Sequence, residues 1–354
     1  EGLENCDVLI VTVPTPVDAS NIPDLSYLQD ACECVGGLIS DGTVVVFEST
    51  VYPGCTMEFC VPIIEERSSK VLNQDFFVGY SPERINPGDK SRGVEDIIKV
   101  TSGSSDEAAI WIDFFYSKVI TAGTYRAESI IVAEAAKVIE NTQRDINIAL
   151  MNELSIIFYK LGIRTESVIN AAKTKWNFLE FHPGLVGGHC IGVDPYYLAY
   201  KAQTIGYNPE VILAGRRVND AIPAHISDST VKLMVRAGCD IKNARVLLMG
   251  ITFKENCPDV RNSKSFDLMQ ELQSWELSVD VFDPVANNFE VKKILGFELC
   301  DHPDYNDYSA IVLSVPHDDI VYEVQGMIDN EKLKGKVIVD VKSALVGNTV
   351  DFEL

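Results

Sequence analysis

Residues 127–161 contain neither proline nor glycine, and are rich in Ala, Ile, Leu, Glu and Asn. Such a run predicts one helix from about Ala127 to Leu161, about 50 Å long at 1.5 Å per residue. Gly162 follows as the expected stop. A helix of that length exceeds what one small domain needs, so it implies a connector and a dimer core. Its apolar residues (Ile130, Ile131, Ile139, Ile146, Ala149, Leu150, Ile157) are not confined to one narrow stripe and must be covered. A two-fold homodimer through this helix is expected. The 354 residues also exceed one ordinary core and point to two or three domains.

On either side, strand-like and helical patterns alternate. Before the long helix, Asp7–Val13, Thr43–Phe47, Phe76–Tyr80, Ile97–Thr101 and Lys118–Thr121 read as strands, and Leu25–Ile39 as a helix. After it, Thr165–Ala172 and Pro195 to about Gly206 read as helices. Arg245–Gly250, Ser278–Phe282, Ala310–Ser314 and Val337–Val341 then read as strands, with a helix over Ser265–Leu277. The expected class is α/β: two Rossmann-like doubly wound domains joined by the long central helix and a helical region. No GxGxxG follows the first strand.

A formal charge of −22 speaks against nucleic acid or an anionic membrane as partner. It leaves room for small anions held by a few local cations and backbone N–H groups. No apolar run reaches the roughly 18 residues that span a bilayer, and the opening residues do not form a signal peptide. The absence of an initiator Met is read as a chain cut or processed from a longer one. Nine cysteines are scattered with no CxxC pair, which argues against a zinc site or a disulfide framework and for reduced cytosolic thiols.

Several segments carry chemistry. In VGGHCIGVDP, Gly187 and Gly188 leave room for a close approach to Cys190, a nucleophile when ionised. Asp194, four residues on, is placed to hold a water or accept a proton. A buried cysteine in a glycine-rich turn fits the same spacing, and a Cys–His dyad with His189 is disfavoured, because adjacent residues in an extended loop tend to point apart. Lys137 and Asn141 are i and i+4 on one helix face, a clamp suited to a developing oxyanion. Ordinary ion pairs of Glu134, Lys137, Glu140 and Arg144 on a solvated face are the alternative. Val13-Pro14-Thr15, Glu48-Ser49-Thr50 and Ser81-Pro82-Glu83-Arg84 follow strand ends, where ligands bind in parallel sheets. Further on, Phe253, Lys254 and Arg261 suit a base, a sugar or phosphates, or are plain surface residues.

Taken in order, VPTP, ESTVYPG, SPERINPG, AEAAKVIENTQRDINIALMNE, VGGHCIGVDP, RRVND and GITFKENCPDVRNS resemble the UDP-glucose/GDP-mannose dehydrogenase family over nearly the whole chain. The resemblance implies the second half of an NAD-binding domain over 1–125, a helical dimerisation domain with the cysteine loop over 126–225, and a UDP-binding domain over 226–354. It places the family's GxGxxG upstream of residue 1 and the chain's end slightly early. The implied activity is NAD-dependent four-electron oxidation of C6 of a UDP-sugar, for surface polysaccharide precursors. Hydride transfer gives an aldehyde, Cys190 adds to it as a thiohemiacetal, a second hydride leaves, and the thioester is hydrolysed. By motif match, Lys137 and Asn141 hold the oxyanion. Asp194 and Thr50 organise water, and Glu83 is the acid/base. Val13, Pro14, Thr15, Thr50 and Glu83 face the cofactor. The sugar nucleotide meets Arg84, Lys137, Asn141, Gly187, Gly188, Phe253, Lys254 and Arg261, and Arg216 reaches it from the neighbouring subunit. No metal is implied.

Departures select a branch. The glucose enzymes carry a Lys where this chain has Val193, and a second acid where it has Pro87. Arg84 and Asn86 replace uncharged or different side chains. These point to UDP-N-acetylglucosamine or UDP-N-acetylgalactosamine as substrate. UDP-N-acetylmannosamine, UDP-glucose and a non-catalytic UDP-sugar-binding fragment are the alternatives.

Overall fold

The computed structural model describes residues 3, 6–85, 92–188, 191–347 and 350–354. In chain order the regular elements are β1 (Val8–Val11), α1 (Ser26–Gly36), β2 (Thr43–Phe47), α2 (Val61–Ser68), β3 (Phe76–Tyr80), β4 (Lys99–Thr101), α3 (Asp106–Ser117), β5 (Thr124–Arg126), α4 (Ile130–Leu161), α5 (Thr165–Ala172), α6 (Asp194–Thr204), α7 (Glu210–Arg236), β6 (Arg245–Met249), α8 (Lys264–Gln273), β7 (Ser278–Phe282), α9 (Asn288–Leu295), β8 (Ala310–Leu313), α10 (Asp318–Asp329), β9 (Val337–Asp340) and β10 (Phe352–Glu353). The chain divides into two compact units, Glu1–Gln143 with Val193–Glu210, and Arg144–Gly192 with Val211–Leu354.

In the first unit β1, β2 and β3 form a parallel sheet in that order, with Val11 opposite Phe47 and Phe47 opposite Tyr80. All of β2 is buried, as a β-branched run covered on both faces must be. Val45 and Phe47 join Leu28, Cys32, Ile64, Val78 and Tyr80 in one core, while Val44 and Val46 pack against Ile112 and Tyr116 of α3. A wide helical turn at Thr56–Cys60 leads into α2. Ser105 caps α3 by accepting from the Ala108 N–H, and Asp106 and Glu107 sit in its positive first turn.

The segment Lys118–Thr121 is not a strand. The N–H groups of Lys118, Val119 and Ile120 bond back to Phe115 and Tyr116 carbonyls, finishing α3. Gly123, at φ +92°, turns the chain into the true strand β5, which pairs with β4. Its β-branched residues mimic a strand, and the helix end outcompetes that local preference.

The second unit holds a five-stranded parallel sheet ordered β10-β9-β8-β6-β7. Alternate residues of β6 enter different cores: Val246 and Leu248 one, Leu247 and Met249 the other. The sheet is therefore covered on both faces. Strand order reverses between β6 and β8, so the loops after these strands flank a topological switch point.

The long helix α4 is unbroken from Ile130 to Leu161, and α5 and α6 fall where their patterns placed them. Among the described residues no single helix is long and apolar enough to cross a membrane.

Candidate active site

In the first unit the turns after β1, β2 and β3 are laced together. The Ser49 hydroxyl donates to the Val13 carbonyl at 2.6 Å, and the Ser81 N–H to Phe47 O at 2.9 Å. The Glu83 N–H donates to Glu48 O at 3.3 Å. Val13, Thr15, Thr50 and Glu83 are half-buried along this edge and Pro14 is exposed. Glu83 accepts from the N–H groups of Arg84 and Ile85, both at 2.6 Å. Its other oxygen lies 3.9 Å from Lys99 Nζ. Lys99 is buried, 3.1 Å from Glu48 and donating to Pro82 O at 3.2 Å. The Tyr116 hydroxyl donates to Glu48 at 2.5 Å. Lys99 and Tyr116 were not singled out from the sequence, and nothing in it joins them to Glu48, because the three lie far apart along the chain.

Arg84 folds onto α4. It forms an ion pair with Glu140 at 2.5 Å and donates to Ile98 O at 3.0 Å. Its neighbours Asn86, Pro87 and Asp89 lie outside the described residues.

One helical turn away, Lys137 and Asn141 are both buried, at 7% and 6% exposure. They are not residues of a solvated face. Asn141 Nδ2 donates to Asp194 Oδ2 at 2.6 Å. Asp194 opens α6, where Pro195 is accommodated in the first turn without loss of a helical bond. Burial pushes the Asp194 carboxyl up to about 6, against the opposing pull of Lys137 and Asn141. Among the described residues Lys137 makes no hydrogen bond or ion pair of its own. An ammonium, an amide donor and a carboxylate near neutrality thus share one buried spot. Such a set can hold an oxyanion and exchange a proton. Val193, where the glucose enzymes carry Lys, packs in the core of this unit.

In the second unit the cysteine loop is described through Gly188; His189 and Cys190 lie outside the described residues. The Gly188 N–H donates to Asn262 O at 2.9 Å, with φ at +84°. A Cβ on Gly187 would stand 2.5 Å from Asn262 O, and one on Gly188 2.8 Å from the Phe253 ring. No larger residue fits either place.

Upstream, Gly184 is held at both backbone groups by Asn152 of α4, at 2.8 and 3.0 Å. Asn152 also donates to Asn219 of α7 at 2.8 Å, and Asn219 donates to Asp145 at 2.7 Å. Arg216 is 3% exposed and pairs with Asp145 and Asp220, each at 2.6 Å. Within one chain, then, Arg216 is turned into this buried network. Asn152 and Asn219 were present in the ALMNE and RRVND segments, but nothing in their local spacing marked them.

The loop after β6 carries Phe253 and Lys254, with the ammonium 5.4 Å from the ring centroid. His317, from the loop after β8, braces it. Its Nε2 lies 3.0 Å from Thr252 Oγ1 and 3.2 Å from Asp283, and its Nδ1 accepts from the Asn256 N–H. Arg261 is exposed and paired with Asp259 at 2.7 Å. Among the described residues no cluster of His, Cys, Asp and Glu could hold a metal, and eight cysteines are free.

Comparison with known proteins gives the arrangement its context. Residues 1–119 match the NAD binding domain of the UDP-glucose/GDP-mannose dehydrogenase family, 131–221 its central domain, and 247–347 its UDP binding domain. The chain is 53% identical to a UDP-N-acetyl-D-glucosamine 6-dehydrogenase of Pseudomonas aeruginosa, over all of this chain and 84% of that one. It is 50% identical to the enzyme of the same name from Salmonella typhi, over all of this chain and 83% of that one. Among solved structures it resembles a UDP-D-ManNAc dehydrogenase from Pyrococcus horikoshii, with TM-score 0.87 and 26% identity over 99% of this chain and 81% of that one. With three domains matched in order and relatives at half identity along the full length, the chain belongs to the UDP-glucose/GDP-mannose dehydrogenase family of NAD-dependent oxidoreductases.

Proposed function

We propose that this chain oxidises C6 of UDP-N-acetylglucosamine, or its N-acetylgalactosamine epimer, from alcohol to carboxylate. The observation that carries the reading is the buried cluster of Lys137, Asn141 and Asp194. Burying an ammonium and a carboxylate costs folding energy that their mutual attraction and the Asn141 hydrogen bond only partly offset, so the cluster calls for a chemical role. The names of the half-identical relatives support the N-acetylglucosamine choice.

The first unit fits the nicotinamide cofactor. Three parallel strand ends bring Val13-Pro14-Thr15, Thr50 and Glu83 to one edge, joined by the Ser49–Val13 bond. When bound there, NAD supplies the acceptor for hydride. The remaining work falls to the chain. A base takes the C6 hydroxyl proton as the hydride leaves, giving the aldehyde. Cys190 adds through sulfur, and Lys137 and Asn141 hold the resulting oxyanion. Loss of the second hydride leaves a thioester. Asp194 and Thr50 orient the water that cleaves it, with Glu83 as acid/base, and Cys190 departs as thiolate.

Gly187 and Gly188 give the sugar clearance beside Phe253, while Lys254 and Arg261 meet the diphosphate. Arg216 serves a neighbouring subunit by leaving Asp145 and Asp220 when two chains pair. Arg84 sets the preference for the N-acetyl group. Residues 1–125, 126–225 and 226–354 are the cofactor, dimerisation and UDP domains. The exposed Ile131, Ile139, Leu150 and Ile157 of α4 support a homodimer through that helix. Free thiols and the acidic composition support a cytoplasmic setting.

The test is NADH production by the full-length protein against UDP-N-acetylglucosamine, UDP-N-acetylgalactosamine, UDP-N-acetylmannosamine and UDP-glucose. Two NADH per sugar consumed, with the highest kcat/KM on one of the first two, is expected. A higher kcat/KM on UDP-glucose overturns the substrate assignment.

A further inference from the structure

Glu134 is fully buried on α4, one turn before Lys137. Its side chain does not stay on its own helix. One carboxylate oxygen accepts from the Gly54 N–H at 2.5 Å and the other from the Thr56 N–H at 2.8 Å. These donors open the helical segment that runs from Thr56 through α2. They are among the N–H groups that a helix start leaves without partners. A carboxylate there completes them and faces the positive end of the segment.

The same loop is tied at its other end, where the Ser49 hydroxyl donates to Val13 O at 2.6 Å. Between the ties, Val51, Tyr52 and Cys55 are core residues. Thr50 therefore sits on a short span fixed at one end to the cofactor-facing turn and at the other to the helix turn that carries Lys137. Gly54 allows the approach. It has φ +96°, and a Cβ there would stand 2.6 Å from Glu58 Oε1.

We propose that Glu134 is a positioning residue: it fixes Thr50 against Lys137 and Asn141, so that the water-orienting and oxyanion-holding groups act in one geometry. The proposal rests on the roles assigned above to Thr50 and Lys137. Burial raises the Glu134 carboxyl above its ordinary range while its backbone partners oppose that. A group held against such a cost, with both oxygens engaged, suits a fixed support better than a proton carrier.

The test is a double-mutant cycle in the full-length protein, with kcat for NADH formation and the Kd of UDP-N-acetylglucosamine measured on each variant. Glu134→Gln keeps the size but offers one acceptor to two donors. It is expected to lower kcat roughly 10- to 100-fold, within the range that misplacement of catalytic groups produces, and to leave Kd within about twofold. In a Thr50→Ala background the same change is expected to lower kcat by less than about threefold, because the positioned group is already gone. Full multiplication of the two effects overturns the proposal and leaves the Thr50 assignment standing. So does a fall in thermal stability with kcat per folded enzyme unchanged. A Thr50→Ala enzyme with normal kcat overturns both. If Glu134→Gln does not fold, Gly54→Ala strains the donor side of the same contact and completes the cycle with the same expected outcomes.

Discussion

Replacing Asp194 by Asn should stabilise the folded protein at neutral pH while abolishing acid formation. The carboxyl is 1% exposed, and burial lifts it from the usual 3.8 to about 6. Because the folded value lies above the unfolded one, the folded state holds an extra proton between these two pH values. The carboxyl's stabilising contribution is then fully present below about 3.8 and is lost as pH rises through about 6. At about 1.4 kcal/mol for each tenfold in proton affinity, ionised Asp194 costs on the order of 3 kcal/mol at pH 7. That figure already includes the favourable pull of Lys137 and Asn141, since both are among its causes.

Asn at this position behaves as a permanently neutral Asp and keeps an oxygen for the Asn141 amide. The gain should therefore approach about 2–3 kcal/mol at pH 7 and vanish near pH 4. Urea unfolding of both proteins between pH 4 and 8 measures the difference, and titrations common to the two cancel. Parallel stability curves would refute the reasoning. A companion signature is an acidic limb on kcat near pH 6 in the wild type, where the carboxylate needed to activate water becomes protonated.

Three further outcomes are expected. Cys190→Ser should lose acid formation but retain UDP-sugar binding by calorimetry, because a hydroxyl is a far poorer nucleophile than a thiolate. Asn152→Asp should lower stability by about 3 kcal/mol or more, read by urea unfolding. It turns a carboxylate onto Gly184 O and the Asn219 side-chain oxygen, which now accept from an amide. Ile139→Glu with Leu150→Glu, both at residues more than half exposed on α4, should convert a dimer to monomer in light scattering at micromolar concentration. An unchanged mass would rule out this face as the interface.

The sequence made Lys137 and Asn141 legible because helical spacing alone joins them. It equally placed the parallel strands, since β2 and β8 are continuous apolar runs whose burial on both faces leaves no polar position to confuse the period. Other parts were hidden for physical reasons. Lys99, Glu48 and Tyr116 are joined only by the register of the sheet and the packing of α3 on it. The helix α7 runs 27 residues through an internal Pro223, which reads locally as a break. The strand β10 has two residues, too few for any period to show. Arg84, expected to meet the sugar nucleotide, pairs with Glu140 on a helix far along the chain, a contact no local pattern shows.

The helix α4 unites most of these findings, because it buries polar side chains among apolar ones and leaves other large apolar ones exposed. Glu134, Lys137, Asn141, Asp145 and Asn152 are buried, while Ile131, Ile139, Leu150 and Ile157 are exposed. At 3.6 residues per turn the first group forms one stripe and the second lies largely opposite. A helix serving only as structural core would bury fewer polar groups, since the hydrophobic gain comes from the apolar face. Four of these buried polar groups each have a distinct partner. Glu134 ties the Thr50 span, Asn141 meets Asp194, Asp145 holds Arg216, and Asn152 holds Gly184. In each unit the stripe thus touches segments to which sequence motifs assign chemistry. The apolar stripe remains without a partner in a single chain. Water is a poor neighbour for four large aliphatic side chains on one helix, and a second copy of the same helix, packed by two-fold symmetry, would cover the apolar stripe of each. This pattern supports the proposed reading, in which the polar stripe serves the chemistry and the apolar stripe a second copy, over a lone binding domain, which would need neither.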